Sequence, residues 1–336
     1  MRRASAPGCL AIELAAGAVA QVALQEGKGY RPPKRGVKGV LREMRREWTA
    51  YLFNAPGLIT FAVFVVYSLY TSFTLSFHEW NILEPEKPFV GLDNYREVLD
   101  DDKFWEAVGH TLYFVLGSVP LTMVIALGLA LLLNKKIRGL GIFRTAYYLP
   151  VITPLVIAAI LWKWVYNADF GIANFYLMKL NIIDKPLNWL GDTQLAMPAV
   201  ILMNIWKGVG FNMVVYLAGL QAIPGEFYEA AEVDGAGPWQ QFRRITFPLV
   251  APTTFFLLVI NTIGAMKAFD QIFVMTSGGP PGPGGATTTV VYYIYTQAFQ
   301  NFRMGYASAL AYTLFLLLFV VSFLQFRWYL KRVEEA

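Results

Sequence analysis

The sequence predicts an all-α membrane protein with about six transmembrane helices, on three observations. Hydrophobic residues make up 56% of its 336 residues. Charged residues make up only 15%, whereas a soluble domain carries about 25%. Six apolar stretches are long enough to cross a bilayer, which takes about 20 helical residues. The surplus of apolar side chains must therefore face lipid.

Charged residues bound the six predicted spans in order along the chain. The spans lie between Glu47 and Glu79, between Glu106 and Lys135, from about Thr145 to Tyr166, from about Ala196 to Leu220, between Arg244 and Lys267, and between Arg303 and Arg327. Only the fourth has a charged residue, Lys207, well inside it. Each stretch predicts one spanning helix.

The distribution of Lys and Arg predicts the orientation. The N-terminal tail, the even-numbered loops and the C-terminal end together hold nineteen Lys and Arg residues, and the three odd-numbered loops hold six. Cytoplasmic segments of membrane proteins carry the excess of basic residues. We therefore expect a multi-pass protein of the plasma (inner) membrane with both termini in the cytoplasm. The net charge of +5 is explained by these flanking blocks and does not indicate a nucleic-acid partner.

Three segments follow from this arrangement. Residues 1–47 are predicted to be a cytoplasmic basic tail, disordered next to the lipid headgroups. Residues 48–104 are predicted to be a leading transmembrane helix with an external loop, and residues 105–332 a five-helix core with a cytoplasmic loop at 221–248. Residues 9–24 have the outline of a signal peptide but contain Glu13. Whether residues 1–27 belong to the mature chain stays open.

The sequence lacks the residues that several other functions need. The chain has no Gly-rich loop ending in Gly-Lys-Ser/Thr, so we expect no ATP bound to it. Its single Cys and two His residues give no pattern for a metal site, and no catalytic residue is predicted. A secondary transporter would place acids inside its spans, and a membrane-bound enzyme would need an acidic or metal-binding cluster. The acidic run Asp100–Asp102 is interpreted as a solvated turn.

The 221–248 loop has a helix–turn–helix pattern. Glu226–Val233 favours a helix, and the sequence Asp234-Gly235-Ala236-Gly237 favours a turn because glycine tolerates positive φ. Pro238 suits the first turn of a second helix, predicted to end near Thr246. Both helices are expected at the membrane surface.

The spacing within this loop resembles the "EAA" loop of ABC importer permeases. The sequence Glu229-Ala230-Ala231, three residues, Gly235, nine residues and Ile245-Thr246-Phe247-Pro248 follows that pattern, with Phe where the family has Leu. The resemblance implies a type I ABC importer permease fold and contact of the loop with an ATPase subunit. The residues that it assigns to this contact are Glu229, Ala230, Ala231, Asp234, Gly235, Ile245 and Pro248. It implies two ATP-binding subunits holding ATP and Mg, a second related permease in a heterodimer, and no cofactor in this chain.

Further motifs are similar to the maltose-type branch of these permeases. They are Asn188-Trp189-Leu190-Gly191-Asp192, Asn204-x-Trp206, Phe269-Asp270-x-Ile272, Thr276-x-Gly278-Gly279-Pro280 and Tyr295-x3-Phe299, and the resemblance covers about residues 50–332. It implies import of a sugar or oligosaccharide that an external binding protein delivers. Import of glycerol-3-phosphate or a glycerophosphodiester stays open as the alternative.

The fourth span supplies the polar and aromatic groups that a sugar pathway needs. Candidate pathway residues are Asn204, Lys207, Gly208, Phe211, Asn212, Gly264, Lys267 and Asp270, and the family resemblance itself points to Gly208, Phe211, Gly264, Lys267 and Ala268. Lys207 must face water, a partner subunit or a ligand, or pair with a carbonyl or acid across an interface, because a lone cation facing lipid is costly. Lys267 either forms an i,i+3 pair with Asp270 or extends to the outer interface.

Overall fold

The computed structural model describes residues 48–135, 139–276 and 282–334. The predicted disordered tail, residues 1–47, lies outside this range, as do Gly278–Pro280 of one family motif. The described residues form helices, turns and two isolated β-bridges, and they contain no strand. The chain divides into two compact units, one ending at Leu69 and the other beginning at Tyr70.

The first unit contains the leading helix. Helix α1 (Trp48–Phe61) continues through a π-helical segment (Ala62–Tyr67) into the start of α2 (Ser68–Leu75). Residues Tyr51–Leu75 form one apolar stretch of 25 residues, none of which is buried within the chain. This confirms the first predicted span. A helix that is apolar on all sides suits lipid or a partner helix.

The second unit is built from thirteen further helices and short helical turns among the described residues. Its first helices are α3 (Asp93–Asp100), α4 (Asp102–Leu133), α5 (Leu140–Ile152), α6 (Leu155–Val165), α7 (Ile172–Lys179) and α8 (Ala196–Gln221). The later ones are α9 (Glu226–Val233), α10 (Pro238–Gln241), α11 (Phe247–Leu249), α12 (Ala251–Met266), α13 (Asp270–Met275), α14 (Val290–Tyr295) and α15 (Met304–Glu334). Helices α4 and α8 form the central pair, and α12 packs against α4 and α15.

Three of the remaining predicted spans are confirmed as single helices. Helices α4, α8 and α15 are each long and apolar enough to cross a membrane. With the leading helix they give four such helices in the part of the chain that the structure describes, and six when each of two bent pairs counts as one span. The predicted total of about six therefore holds, although two of the spans are not straight.

The third span, predicted from about Thr145 to Tyr166, is broken into two helices. It begins at Leu140 and breaks into α5 and α6, which are bent by 100°. Thr153 at the break has extended backbone angles (φ −67°, ψ 126°). A residue before proline is disfavoured in the helical region, and Pro154 has no N–H to continue the helix. The Thr153-Pro154 pair therefore ends α5.

The fifth span also differs from the prediction. Helix α12 has only 16 residues and begins at Ala251. It follows a helical stretch, Pro238–Leu249, from which it is bent by 60°. Val250 at the junction is almost fully buried. The apolar gap between Arg244 and Lys267 is thus shared by two helical segments.

Residues 70–104 belong to the second unit. The side-chain amide of Asn94 donates hydrogen bonds to the carbonyl oxygens of Ser76 (2.9 Å) and His78 (3.0 Å). The Tyr95 hydroxyl donates to Oγ of Ser76 at 2.7 Å. Helix α3 also packs against α15. The segment before α4 is therefore tied to the core.

Asp101 is part of a hydrogen-bond network, not of a solvated turn as the acidic run suggested. Its Oδ1 accepts a hydrogen bond from the backbone N–H of Lys103 (3.0 Å), which caps the start of α4. Its Oδ2 accepts from the hydroxyls of Tyr293 and Tyr306, each at 2.5 Å. Burial alone would raise the pKa of Asp101, but these hydrogen bonds outweigh it and hold that pKa below the ordinary value of an aspartate. The carboxylate therefore joins α4, α14 and α15.

Candidate functional site

A cavity of about 350 Å³ lies among α4, α6, α8 and α12. Its polar lining comes from three amides, two lysines, a carboxylate and a hydroxyl, namely Asn204, Asn261, Gln271, Lys207, Lys267, Asp270 and Thr122. Phe211 and Phe269 add aromatic surface. Amides and aromatic faces are the groups that bind sugar hydroxyls and sugar ring faces in proteins.

The structure brings seven of the eight predicted pathway residues to this cavity. They are Asn204, Lys207, Gly208, Phe211, Gly264, Lys267 and Asp270, and Ala268 joins them. Three- and four-residue steps along α8 place its contributors on one face, as expected for a helix.

Asn212 is the predicted residue that does not line the cavity. It is only 1% exposed, and its amide nitrogen donates to the carbonyl oxygen of Gly208 at 2.9 Å. Asn212 and Asn261 also bond each other: Asn261 Nδ2 donates to Asn212 Oδ1 at 2.6 Å, and Asn212 Nδ2 to Asn261 Oδ1 at 3.3 Å. Asn212 thus stands behind the cavity wall and orients Asn261.

Asn261 is a cavity residue that the sequence interpretation missed. It lies on α12, the fifth span, and faces both the cavity and Asn212. The available signal was an amide inside an apolar span, where a polar group needs a partner. Asn212 is a second amide at the corresponding depth of the fourth span, and it could have indicated the pair.

Lys207 has partners within its own chain. Its Nζ donates hydrogen bonds to the backbone oxygens of Pro150 (3.1 Å), Val151 (3.3 Å) and Thr153 (2.7 Å). The side chain also borders the cavity. Of the alternatives left open for Lys207, pairing with carbonyl groups is the one found, and these carbonyls lie at the end of α5 in the same chain.

Lys267 and Asp270 do not form the predicted i,i+3 pair. Helix α12 ends at Met266 and α13 begins at Asp270, so the two residues do not share a helix. No ion pair joins them within the part of the chain that the structure describes. Both are exposed and both line the cavity. The ammonium of Lys267 and the carboxylate of Asp270 therefore face the cavity as separate charges.

The 221–248 loop has the predicted helix–turn–helix form. Helix α9 confirms the predicted helix Glu226–Val233, and Gly235 in the turn has φ +75°. The second helical stretch continues three residues past the predicted end at Thr246, through α11. The hydroxyls of Tyr228 and Thr246 lie 3.0 Å apart and join the two arms of the loop.

The residues assigned to ATPase contact lie at the surface of this loop. Glu229, Ala230, Asp234, Gly235 and Pro248 are exposed, and Ala231 and Ile245 are half-buried. Large apolar side chains beside them are also exposed, including Val233 (88%) and Trp239 (70%). Clustered apolar exposure next to charged groups is typical of protein-contact surfaces.

Comparison with known families identifies the chain. Residues 118–334 match the family described as "Binding-protein-dependent transport system inner membrane component". The chain belongs to this family. That membership bears out the ABC permease interpretation and makes the chain a non-catalytic membrane subunit of a transport system. It removes the secondary-transporter alternative.

Curated relatives are named as sugar permeases. The chain is 38% identical to the trehalose/maltose transport system permease protein MalF of Thermococcus litoralis over 81% of this chain and 90% of the relative. It is 36% identical to the lactose transport system permease protein LacF of Rhizobium radiobacter over 82% of this chain and 92% of the relative. The resemblance to maltose-type permeases is thereby confirmed.

A solved transporter shares the fold. A chain of the bacterial ABC transporter involved in import of the acidic polysaccharide alginate matches with a TM-score of 0.75 and 26% identity, over 87% of this chain and 98% of that chain. The same transporter in complex with its alginate pentasaccharide-bound periplasmic protein gives a TM-score of 0.71. The predicted ABC importer permease fold is therefore confirmed.

Proposed function

We propose that this permease lines the translocation pathway for a neutral sugar or oligosaccharide delivered by an external binding protein. The observation that carries the proposal is the cavity bounded by α8 and α12, whose lining includes the amide of Asn204 and the aromatic ring of Phe211. The names of the trehalose/maltose and lactose relatives support the same class of solute.

The proposed assembly contains a second related permease, two ATP-binding subunits and the external binding protein. ATP and Mg are held by the ATP-binding subunits, and this chain contributes no cofactor. The exposed surface of the 221–248 loop supports docking of an ATP-binding subunit there. In the proposed orientation both termini and this loop lie on the cytoplasmic side, which the basic-residue counts support.

Glycerol-3-phosphate or a glycerophosphodiester is the second candidate. Lys267 favours it, because an exposed ammonium at the cavity suits a phosphate group. Asp270 opposes it, because a carboxylate in the same cavity repels that anion. A neutral solute is not repelled by either charge.

Transport by the reconstituted assembly tests the proposal. The permease would be co-purified with its partner subunits, placed in vesicles with internal ATP, and supplied with the binding protein loaded with a labelled disaccharide. Phe211→Ala should reduce uptake of the sugar more than tenfold, because the ring face is lost, while ATP hydrolysis continues. Lys267→Met should leave disaccharide uptake largely intact and abolish any uptake of a phosphorylated solute. Uptake of phosphorylated solutes alone would reverse the assignment.

A further inference from the structure

Lys207 supplies the hydrogen bonds that the break between α5 and α6 leaves unmade. In a helix the carbonyl of Pro150 would accept a bond from the N–H four residues later, but that residue is Pro154, which has none. The ammonium of Lys207 fills this position at 3.1 Å and also reaches the carbonyls of Val151 and Thr153. An ammonium has three N–H donors, so all three are used at the break.

The carbonyl of Leu149, one turn before the break, is also satisfied. The hydroxyl of Thr153 donates to the backbone oxygen of Leu149 at 3.1 Å. The last carbonyls of a helix normally turn to water or to a following glycine motif. Here the side chain of Lys207 on α8 takes the place of water and of the glycine motif, inside a segment that spans the membrane.

Helices α5 and α8 also meet backbone to backbone next to this bond. A Cβ added at Gly210 would lie 2.1 Å from the carbonyl oxygen of Tyr147 and 2.9 Å from a methyl group of Val151. Gly210 and Lys207 are three residues apart on α8, so one face of α8 holds the final turn of α5 at two points. The first residue of α6, Leu155, lines the cavity together with Lys207.

We propose that Lys207 is a positioning residue for transport: its ammonium fixes the angle of the α5–α6 break and thereby the wall of the cavity that α6 forms. On this proposal Lys207 is not a ligand of the solute, since its donors are already engaged. The role of Lys207 in transport rests on the function proposed above, whereas its role at the α5–α6 break does not.

Amide hydrogen exchange tests the structural statement in the complete assembly without solute. Lys207→Met should speed exchange in peptides covering residues 145–160 by about five- to tenfold, because three carbonyls lose a charged donor and the break opens more often. Lys207→Arg should restore slow exchange, since a guanidinium also bonds terminal carbonyls. Lys267→Met is the matched control: it removes a cation from the same cavity and should leave exchange at 145–160 unchanged.

Transport kinetics test the functional statement. Lys207→Met should lower the maximal uptake rate of every transported solute by a similar factor with little change in apparent KM, and Lys207→Arg should recover it. A loss confined to one solute, or an altered KM with unchanged exchange, would overturn the proposal and make Lys207 a ligand. If Lys207→Met fails to assemble, Lys207→Gln replaces it, and exchange at 145–160 equal to that of the unmodified protein would overturn the proposal. Absence of sugar uptake by the unmodified assembly contradicts only the proposed function.

Discussion

The hydroxyl of Tyr306 on α15 donates a 2.5 Å hydrogen bond to Oδ2 of Asp101, the residue that caps α4. Tyr293 on α14 donates to the same oxygen. Arg303 lies over the ring of Tyr306 and forms an ion pair with Glu97 of α3 at 2.6 Å. At one end of the helical core the carboxylate of Asp101 thus links α4 to α14 and α15, which are distant in sequence.

This network predicts a specific acid sensitivity. The pKa of folded Asp101 lies below the ordinary value of an aspartate, so its hydrogen bonds stabilise the fold fully above that ordinary value, and this stability is lost as the pH falls through the lower folded-state pKa. Asp101→Asn should destabilise the protein at neutral pH by about 1–3 kcal/mol and remove this part of the acid transition. Thermal unfolding in detergent between pH 3 and 8 measures both. Asp100→Asn, at an exposed neighbour, is the control, and equal acid transitions in the two variants would refute the prediction.

Contact between α5 and α8 predicts a large effect of a single methyl group. Gly210→Ala should destabilise the protein by about 3 kcal/mol, because the new Cβ meets the backbone oxygen of Tyr147, which cannot rotate away. Gly128→Ala in α4 is the matched control, since no atom lies within 4 Å of its new Cβ and alanine favours a helix. The measurement is the temperature at which each variant loses its monodisperse peak in size-exclusion chromatography. Equal midpoints would show that α5 and α8 do not pack this closely.

The buried amide pair predicts a non-additive double mutant. Asn261→Leu should cost about 1–3 kcal/mol, because it leaves part of the Asn212 amide without its partner in an apolar environment. Replacing both residues by Leu should cost less than the sum of the two single changes. Chemical or thermal unfolding of the four proteins in one detergent gives the coupling energy. Strict additivity would mean that the two side chains act independently.

Gly235 predicts separate effects on folding and on coupling. Its φ of +75° is strained for any residue with a Cβ, yet the space around it is open. Gly235→Val should therefore cost only about 1–2 kcal/mol and leave membrane insertion intact, while a bulky side chain at the proposed docking surface uncouples ATP hydrolysis from uptake. Gly237→Val is the control, because Gly237 has φ −70° and equally open surroundings. Tight coupling in the Gly235 variant would argue against docking at this turn.

Nucleotide binding provides a further check on the division of labour. The purified permease without its partners should show no thermal shift with ATP and Mg, because it has no phosphate-binding loop. The complete assembly under the same conditions should show a clear shift, because the ATP-binding subunits bind the nucleotide. A shift in the isolated chain would require a nucleotide site within the permease.

Elements set by local sequence were predictable. The leading helix, α4, α8 and α15 follow from long apolar runs, and α9 and the Gly235 turn follow from helix and turn propensities. The α5–α6 break was signalled by Thr153-Pro154, but its 100° angle depends on α8. A proline in a spanning helix can give a kink or a complete break, and the sequence alone does not choose between them.

The missed contacts are those between groups far apart in sequence. The acceptors of Lys207 are backbone carbonyls, which carry no residue-type signal. The partners of Asp101 lie 192 and 205 residues away. Asn261 is one amide in an apolar run, and its role depends on how α8 and α12 pack. The four cavity residues on α8 were predictable because a single helix face presents them.

The bond between Lys207 and the end of α5 imposes an order on how the chain enters the membrane. Helices α5 and α6 have 13 and 11 residues, and each is too short to cross alone. The terminal carbonyls of α5 receive their cation from a residue that is synthesised 54 positions after Thr153. Conversely, Lys207 costs about 2.5–3.5 kcal/mol to insert on translocon scales without partners. We therefore expect the α5–α6 segment and α8 to leave the insertion machinery for lipid together.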